Sequence, residues 1–176
     1  MIRNATISDF DFIYRLYMSP ETNPYLLYEW MSESDFRPIF RELIEKKIVY
    51  IYGVENQSNV GMFKLGPFMH RTSHIVYLGG VAVDPNCIGK GFGQLMLKDC
   101  IAFAIELGYK RIELSTATHN LRAIAIYEKL GFVKEGVMRD YTYLKSENRY
   151  IDEVLMSYIL PDTAHPNPPK GREKEA

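Results

Sequence analysis

The chain has 176 residues, of which 47% are apolar and 24% charged, with a formal net charge of −1 at pH 7. These values are typical of one soluble globular domain, and the nearly balanced charge gives no reason to expect a nucleic-acid partner. No apolar run is long enough to span a bilayer, and the first residues lack the apolar segment of a signal peptide. Cys87 and Cys100 are not spaced as a metal pair or a disulfide framework. We therefore expect a cytoplasmic protein with no metal ion and no membrane partner.

The first half of the chain predicts strands and helices in the order β, α, α, β, β, β. The predicted elements are a strand at 2–5, a helix from Ser8 or Asp9, a helix from Ser34 or Asp35, and strands at 47–54, 60–65 and 73–83. An irregular connection with two prolines and several aromatic residues occupies 19–30. Gly66 and Pro67 are predicted to break the chain before the third of these strands.

The second half continues the alternation. The predicted elements are a helix over 91–107, a strand at 111–116, a helix over 120–130, and strands at 132–137 and 150–159. We assign 1–160 to a single domain and 161–176 to a flexible tail, because the tail is rich in proline and charge and poor in apolar residues. The order of elements predicts an α/β (α+β) layout, with helices on both faces of one sheet.

A glycine-rich loop lies between the strand that ends at Val83 and the next helix. Gly89, Gly91 and Gly93 recur at every second position after a turn at Asp84-Pro85-Asn86. Glycines let the backbone approach a ligand, and the first N–H groups of a helix attract anions, so the pattern fits a phosphate cradle. The dinucleotide-binding fingerprint would need a glycine where the chain has Met96, and a P-loop would need Ser or Thr where Gly91 follows Lys90. A tight turn without a ligand is the remaining alternative to a phosphate site.

A second block follows about thirty residues later, at Asn120-Leu-Arg-Ala-Ile-Ala-Ile-Tyr127-Glu-Lys-Leu-Gly-Phe132. Together with the glycine loop, this block resembles the GNAT superfamily of N-acetyltransferases, over roughly 76–137. One departure is Ile88, where the family usually carries Gln or Arg. The resemblance implies a single GNAT-like domain with a mixed, mostly antiparallel sheet of about seven strands and about four helices. The last strands resemble the branch with ribosomal-protein, polyamine and amino-sugar acetyltransferases.

The resemblance also implies roles for individual residues toward acetyl-CoA. Backbone groups of Val81 and Val83 pair with the pantetheine arm as an added strand would, and Asn120 hydrogen-bonds that arm. Tyr127 donates a proton to the departing thiolate, although its helical spacing alone is typical of a core tyrosine. The expected pyrophosphate cradle is the run of backbone amides of Ile88, Gly89, Lys90, Gly91, Phe92, Gly93 and Gln94.

The general base and the acceptor are less defined by the sequence. Related ribosomal-protein acetyltransferases carry a catalytic Glu at the position of Ser115 in this chain. Glu113 lies two positions earlier on the same face of the strand, so it is our candidate base, acting through a water. His74 and His119 are alternatives. The acceptor-binding candidates are Tyr28, Glu29 and Trp30, together with a possible wall at 141–150.

Three functions stay open at this point. The first is direct acetyl transfer, in a ternary complex, to a small amine such as a polyamine, an amino sugar or an amino acid. The second is acetylation of a protein N-terminus or lysine, and the third is a non-catalytic acyl-CoA-binding module. We expect a monomer or a homodimer.

Overall fold

The computed structural model of the protein describes residues 1–161. Its strands and helices follow the predicted order. They are β1 (Ile2–Asn4), α1 (Phe10–Met18), α2 (Glu33–Glu45), β2 (Val49–Val54), β3 (Gln57–Pro67), β4 (Ile75–Val83), α3 (Phe92–Glu106), β5 (Arg111–Ala117), α4 (Leu121–Lys129), β6 (Val133–Leu144) and β7 (Arg149–Ile159). The predicted flexible tail falls almost entirely on 162–176, outside the described residues.

The strands form a seven-stranded sheet in the order β1-β2-β3-β4-β5-β7-β6. The β4–β5 pair is parallel, and the other five neighbouring pairs are antiparallel. The single parallel pair needs a crossover, which α3 provides between the two strands. The sheet and its four helices confirm the predicted mixed, mostly antiparallel architecture.

Helices cover both faces of the sheet, as the order of elements predicts. On one face, Met96 and Cys100 of α3 and Tyr127 of α4 share a core with side chains of β3, β4, β5 and β7. On the other face, α1 and α2 pack against β2, β3 and β4 through a second core that contains Tyr17 and Phe36. The second core does not include residues of β5, β6 or β7. On this face, α1 and α2 therefore cover only the half of the sheet that contains β2, β3 and β4.

Several element boundaries differ from the prediction, and three of the differences have a clear physical reason. Strand β3 runs through Gly66 and Pro67, because its pairing with β2 has ended by Lys64 and a proline beyond that point interrupts no β2 ladder. Helix α2 is capped by Ser32, whose hydroxyl accepts a 3.3 Å hydrogen bond from the Asp35 backbone. Strand β6 extends to Leu144, because it pairs with β7 as a long hairpin.

Candidate active site

A cleft opens on the sheet where β4 and β5 separate. Strand β4 pairs with β5 only where Ile75–Tyr77 lie opposite Arg111–Glu113. The rest of β4 continues to Val83 without a β5 partner. The cleft has a volume of about 480 Å³ and is walled by β4, the glycine loop, the start of α3, the end of β5 and α4. Because β4 lacks a neighbour on its β5 side here, the backbone groups that point to that side are available to an extended ligand.

A β-bulge marks the point of separation. The pairing of β3 with β4 shifts between Met62 and Lys64, and Gly80 adopts a φ of +58° at the shift. A bulge increases the local twist and redirects the strand, which agrees with the divergence of β4 from β5. Gly79 and Gly80 both line the cleft, so this wall exposes backbone rather than side chains.

The glycine loop has room for an anion. Gly89 and Gly91 have φ values of +83° and +79°, and a Cβ atom at either position would meet no protein atom within 4 Å. Gly91 is the N-cap residue of the 15-residue helix α3, so the first free N–H groups of α3 lie at the loop. Gly93 differs from these two, because a Cβ there would make an ordinary van der Waals contact with Val83 at 3.5 Å.

The turn before the loop is fixed by Asp84, a buried residue. Its carboxylate accepts hydrogen bonds from the Asn86 backbone at 2.9 Å and from the guanidinium of Arg15 at 2.6 Å. Its backbone N–H donates to the Val60 carbonyl at 2.8 Å. These contacts tie the loop to β3 and to α1, and they hold the glycines over the cleft in one conformation.

Five residues of the second block line the opposite wall, and Asn120 and Tyr127 are two of them. The Asn120 side chain caps α4 by accepting from the Ala123 backbone at 3.3 Å, and it donates to Thr116 of β5 at 3.2 Å. Tyr127 is buried at the cleft and packs on Phe132 with ring centroids 5.6 Å apart. Burial raises the pKa of the Tyr127 phenol, so the hydroxyl keeps its proton at neutral pH.

The structure brings together most of the residues that the sequence predicts for the cofactor. The residues of that set that line the cleft are Val81, Val83, Ile88, Gly89, Gly91, Phe92, Gly93, Gln94 and Asn120. Lys90 is exposed and is not among the residues of the cleft wall. The Ile88 side chain is 44% exposed, so it leaves the backbone of the loop uncovered.

The predicted acceptor residues lie apart from the cleft wall. Tyr28 packs on Tyr17 with ring centroids 5.1 Å apart, and Trp30 is 69% exposed beside a separate depression on α1. Glu29 accepts a 2.7 Å hydrogen bond from the Lys145 backbone. That bond joins the α1–α2 connection to the β6–β7 turn, so the two segments predicted to enclose the acceptor do meet.

Glu113 lies in an ion pair and is not among the residues of the cleft wall. Its carboxylate contacts the Arg111 guanidinium at 2.6 Å, and Arg111 also contacts Glu135 at 2.9 Å. Glu135 in turn accepts a hydrogen bond from Ser157. Any proton transfer to Glu113 from the cleft would therefore have to pass through water.

Several cleft residues were missed by the sequence reasoning. Glu21, Thr22 and Tyr25 of the α1–α2 connection line the cleft, although the prediction chose positions 28–30 of the same connection. The Ser115 hydroxyl lies in the wall and forms a 2.7 Å hydrogen bond with the Tyr77 hydroxyl. No periodicity identifies these residues, because they come together only through the divergence of β4 from β5.

The described residues 1–161 contain no cluster of three or more His, Cys, Asp or Glu side chains that could hold a metal ion. Among the helices of this same part of the chain, none is long and apolar enough to cross a membrane.

Comparison with known proteins identifies the family. The crystal structure of spermidine N-acetyltransferase from Vibrio cholerae in complex with CoA and spermine shares the fold, with a TM-score of 0.77 over 90% of this chain and 94% of that chain, at 21% identity. The model of the Acetyltransferase (GNAT) family matches residues 10–132. The chain therefore belongs to the GNAT acetyltransferase family, as the glycine loop and the second block indicated.

Two relatives show the extent of the sequence similarity. The chain is 33% identical over 107 residues to N-acetyltransferase aca1 of Schizosaccharomyces pombe, which is 59% of this chain and 50% of that protein. It thus spans about half the length of this relative. It is 25% identical over 170 residues to the L-amino acid N-acetyltransferase AaaT of Escherichia coli, which is 90% of this chain and 97% of that protein.

Proposed function

We propose that the protein is an N-acetyltransferase that moves an acetyl group from acetyl-CoA to the primary amine of a small molecule. The observation that carries this proposal is the cleft between β4 and β5, with the glycine loop at one end and Tyr127 in its wall. Family membership supports the reaction class, and the relatives named above act on amines, spermidine in one case and L-amino acids in another.

The residues at the cleft fit acetyl-CoA. The loop of Gly89 and Gly91 leaves open the space that a Cβ would fill, and the N-terminus of α3 supplies N–H groups and a favourable dipole for the pyrophosphate. The stretch of β4 that has no partner on its β5 side, with Val81 and Val83, offers backbone groups to the pantetheine arm. Acetyl-CoA supplies the acetyl group as an activated thioester.

Tyr127 is the proposed general acid. Its phenol lies in the cleft wall in an apolar surrounding, and its raised pKa keeps it protonated and able to donate to the leaving thiolate. Cys87 also lines the cleft, but it is buried and accepts a 2.9 Å hydrogen bond from Gln57. We therefore propose direct transfer in a ternary complex rather than a covalent acetyl-cysteine.

Glu113 is the predicted base that accepts the proton of the amine. The carboxylate would act through a water near Ser115, two positions along the same face of β5. Its contact with Arg111 at 2.6 Å holds the carboxylate in one orientation.

The proposal is tested by incubating the protein with acetyl-CoA and a panel of polyamines, amino sugars, amino acids and peptides, with detection of free CoA thiol. Amine-dependent thiol release from at least one small amine is expected. Release with peptides alone would indicate a protein acetyltransferase instead. CoA binding without release from any amine would indicate a non-catalytic acyl-CoA-binding module.

A further inference from the structure

The β4–β5 cleft is lined from both faces of the sheet. Phe92 of α3 and Ile126 of α4 line it and pack on the core of one face. Glu21 and Tyr25 line it from the α1–α2 connection, whose Tyr28 packs on the core of the opposite face. Because acetyl-CoA is proposed to bind against the glycine loop and the start of α3, the α1–α2 side of the cleft is left for the acceptor.

The two sides of the cleft differ in charge. Within the described residues, the charged side chains of the cleft wall are Glu21 and Arg122. Arg122 belongs to α4, which packs on the same core as α3, whereas Glu21 follows α1 on the other face. Neither forms an ion pair with another residue of 1–161. A carboxylate that faces a ligand cleft without a cation partner can take that cation from the ligand.

The end of α1 fixes the position of Glu21. The buried Ser19 hydroxyl donates to the Glu21 carboxylate and accepts from the Glu21 backbone N–H at 3.3 Å. The backbone N–H groups of Thr22 and Asn23 donate to the Ser19 carbonyl at 3.1 and 2.8 Å, which closes the turn after the helix. The hydrogen bond from Ser19 lowers the pKa of the Glu21 carboxyl, so this group is ionised at neutral pH. Since Glu21 is exposed, a ligand in the cleft can reach it.

We propose that Glu21 binds a second positive charge on the acceptor, so that the preferred substrate is a diamine or a longer polycationic amine. This inference rests on the acetyltransferase activity proposed above. An ammonium group donates charge-assisted hydrogen bonds to a carboxylate, and the exposed ring of Tyr25 in the same wall offers an aromatic surface to the cation. An acceptor with a carboxylate at this position would be repelled by Glu21.

The two amino groups of such an acceptor have different protonation states during the reaction. The amine that reacts is neutral when it attacks, and its C–N bond to the acetyl group forms as the C–S bond of the thioester breaks. Its remaining extra proton passes to the base, and the departing thiolate takes a proton from Tyr127. The second amine keeps its proton throughout, so its contact with Glu21 positions the acceptor without taking part in the chemistry.

The test uses three acceptors of equal chain length that differ only in the group at the far end. These are an α,ω-diamine, the corresponding monoamine and the corresponding ω-amino acid, whose far groups are positive, neutral and negative at neutral pH. With saturating acetyl-CoA and the full chain, kcat/KM should fall in that order over a range of chain lengths. At the best length, the diamine should exceed the monoamine by about threefold to tenfold, as suits an ion pair in a solvated cleft.

Variants of Glu21 separate recognition of charge from other causes of this order, such as the basicity of the reacting amine, which is the same for every variant. Glu21→Gln keeps the shape of the side chain, so it should reduce the advantage of the diamine to about twofold, the statistical value for two equivalent amines. Glu21→Lys should place the ω-amino acid above the diamine. Glu45→Gln removes an exposed carboxylate at the end of α2, outside the cleft wall, and should keep the wild-type order.

Isothermal titration with CoA shows whether the cofactor half of the cleft is intact in each variant, and equal affinities are expected. A wild type that uses the three acceptors equally, or an order that survives in Glu21→Gln and Glu21→Lys, would overturn the role of Glu21 and leave the acetyltransferase proposal intact. Failure to acetylate any amine would instead refute the acetyltransferase proposal itself.

Discussion

Replacing Gly91 by alanine separates the backbone strain of the glycine loop from its use as a binding surface. Gly91 has a φ of +79°, and a Cβ there meets no protein atom within 4 Å. The cost to folding is therefore that of the left-handed backbone alone, about 1–2 kcal/mol. For a domain of this size that corresponds to a fall in Tm of roughly 2–8 °C.

Gly108 provides a matched control at the other end of α3. Its φ is +93°, and a Cβ there also meets nothing within 4 Å. Gly108→Ala should therefore lower the free energy of unfolding by a similar amount, about 1–2 kcal/mol. Because Gly108 is not part of the cleft wall, its variant should bind CoA like the wild type.

The two variants differ in what the added methyl group obstructs. Gly91 lines the cleft and is the N-cap of α3, so a methyl group at position 91 lies in the loop where the pyrophosphate is proposed to bind. Loss of one or two charge-assisted hydrogen bonds should weaken CoA binding by about tenfold to a hundredfold or more. Isothermal titration of each variant with CoA measures this directly. Equal CoA affinities for Gly91→Ala and Gly108→Ala would refute the cradle.

Three further predictions concern single side chains. Tyr127→Phe should lower kcat by about 100-fold or more and leave CoA affinity nearly unchanged. As a control, Tyr158→Phe should keep kcat, although Tyr158 also packs on Phe132. An unaltered kcat in Tyr127→Phe would contradict the role of Tyr127 as the acid. Glu113→Gln should lower kcat/KM at neutral pH, because it removes the proposed base, and Glu135→Gln, which loses a contact to the same arginine, should not. The hydrogen bonds from Arg3 hold the pKa of Asp9 below its usual 3.8. The stabilisation of the fold by ionised Asp9 is therefore present above pH 3.8 and is lost as the pH falls through the lower folded value. The free energy of unfolding should fall less steeply with acid in Asp9→Asn than in the wild type, and identical slopes would refute this.

The fold could be predicted well because its elements are locally encoded. Apolar periodicity and helix caps determined the order of all eleven elements, and the glycine loop indicated where the strand ends and α3 begins. Boundaries failed where tertiary pairing decides them. Pro67 ends a strand rather than breaking it because β2 has already ended, and β6 lengthens because β7 pairs along it.

The site divides along the same line. Backbone sites such as Gly91, and Asn120 at a helix cap, follow from local sequence and lie at the cleft, while their roles toward the cofactor stay predictions. The acceptor side is harder to predict, because it depends on where long connections fold back. The assignment of the acceptor to positions 28–30 stays a prediction, and Glu21 and Tyr25 of the same connection line the cleft.

The central claim is direct transfer of an acetyl group to an amine in the β4–β5 cleft. Mass spectrometry after a single turnover with acetyl-CoA labelled with ¹³C in its acetyl group, in the presence of the best amine from the panel, tests it most directly. The account predicts that the label is found in the amide product, with one CoA thiol released per product, and that Cys87 carries no label at any time. Labelled protein that forms and decays before the product, or CoA release without a labelled amide, would contradict it.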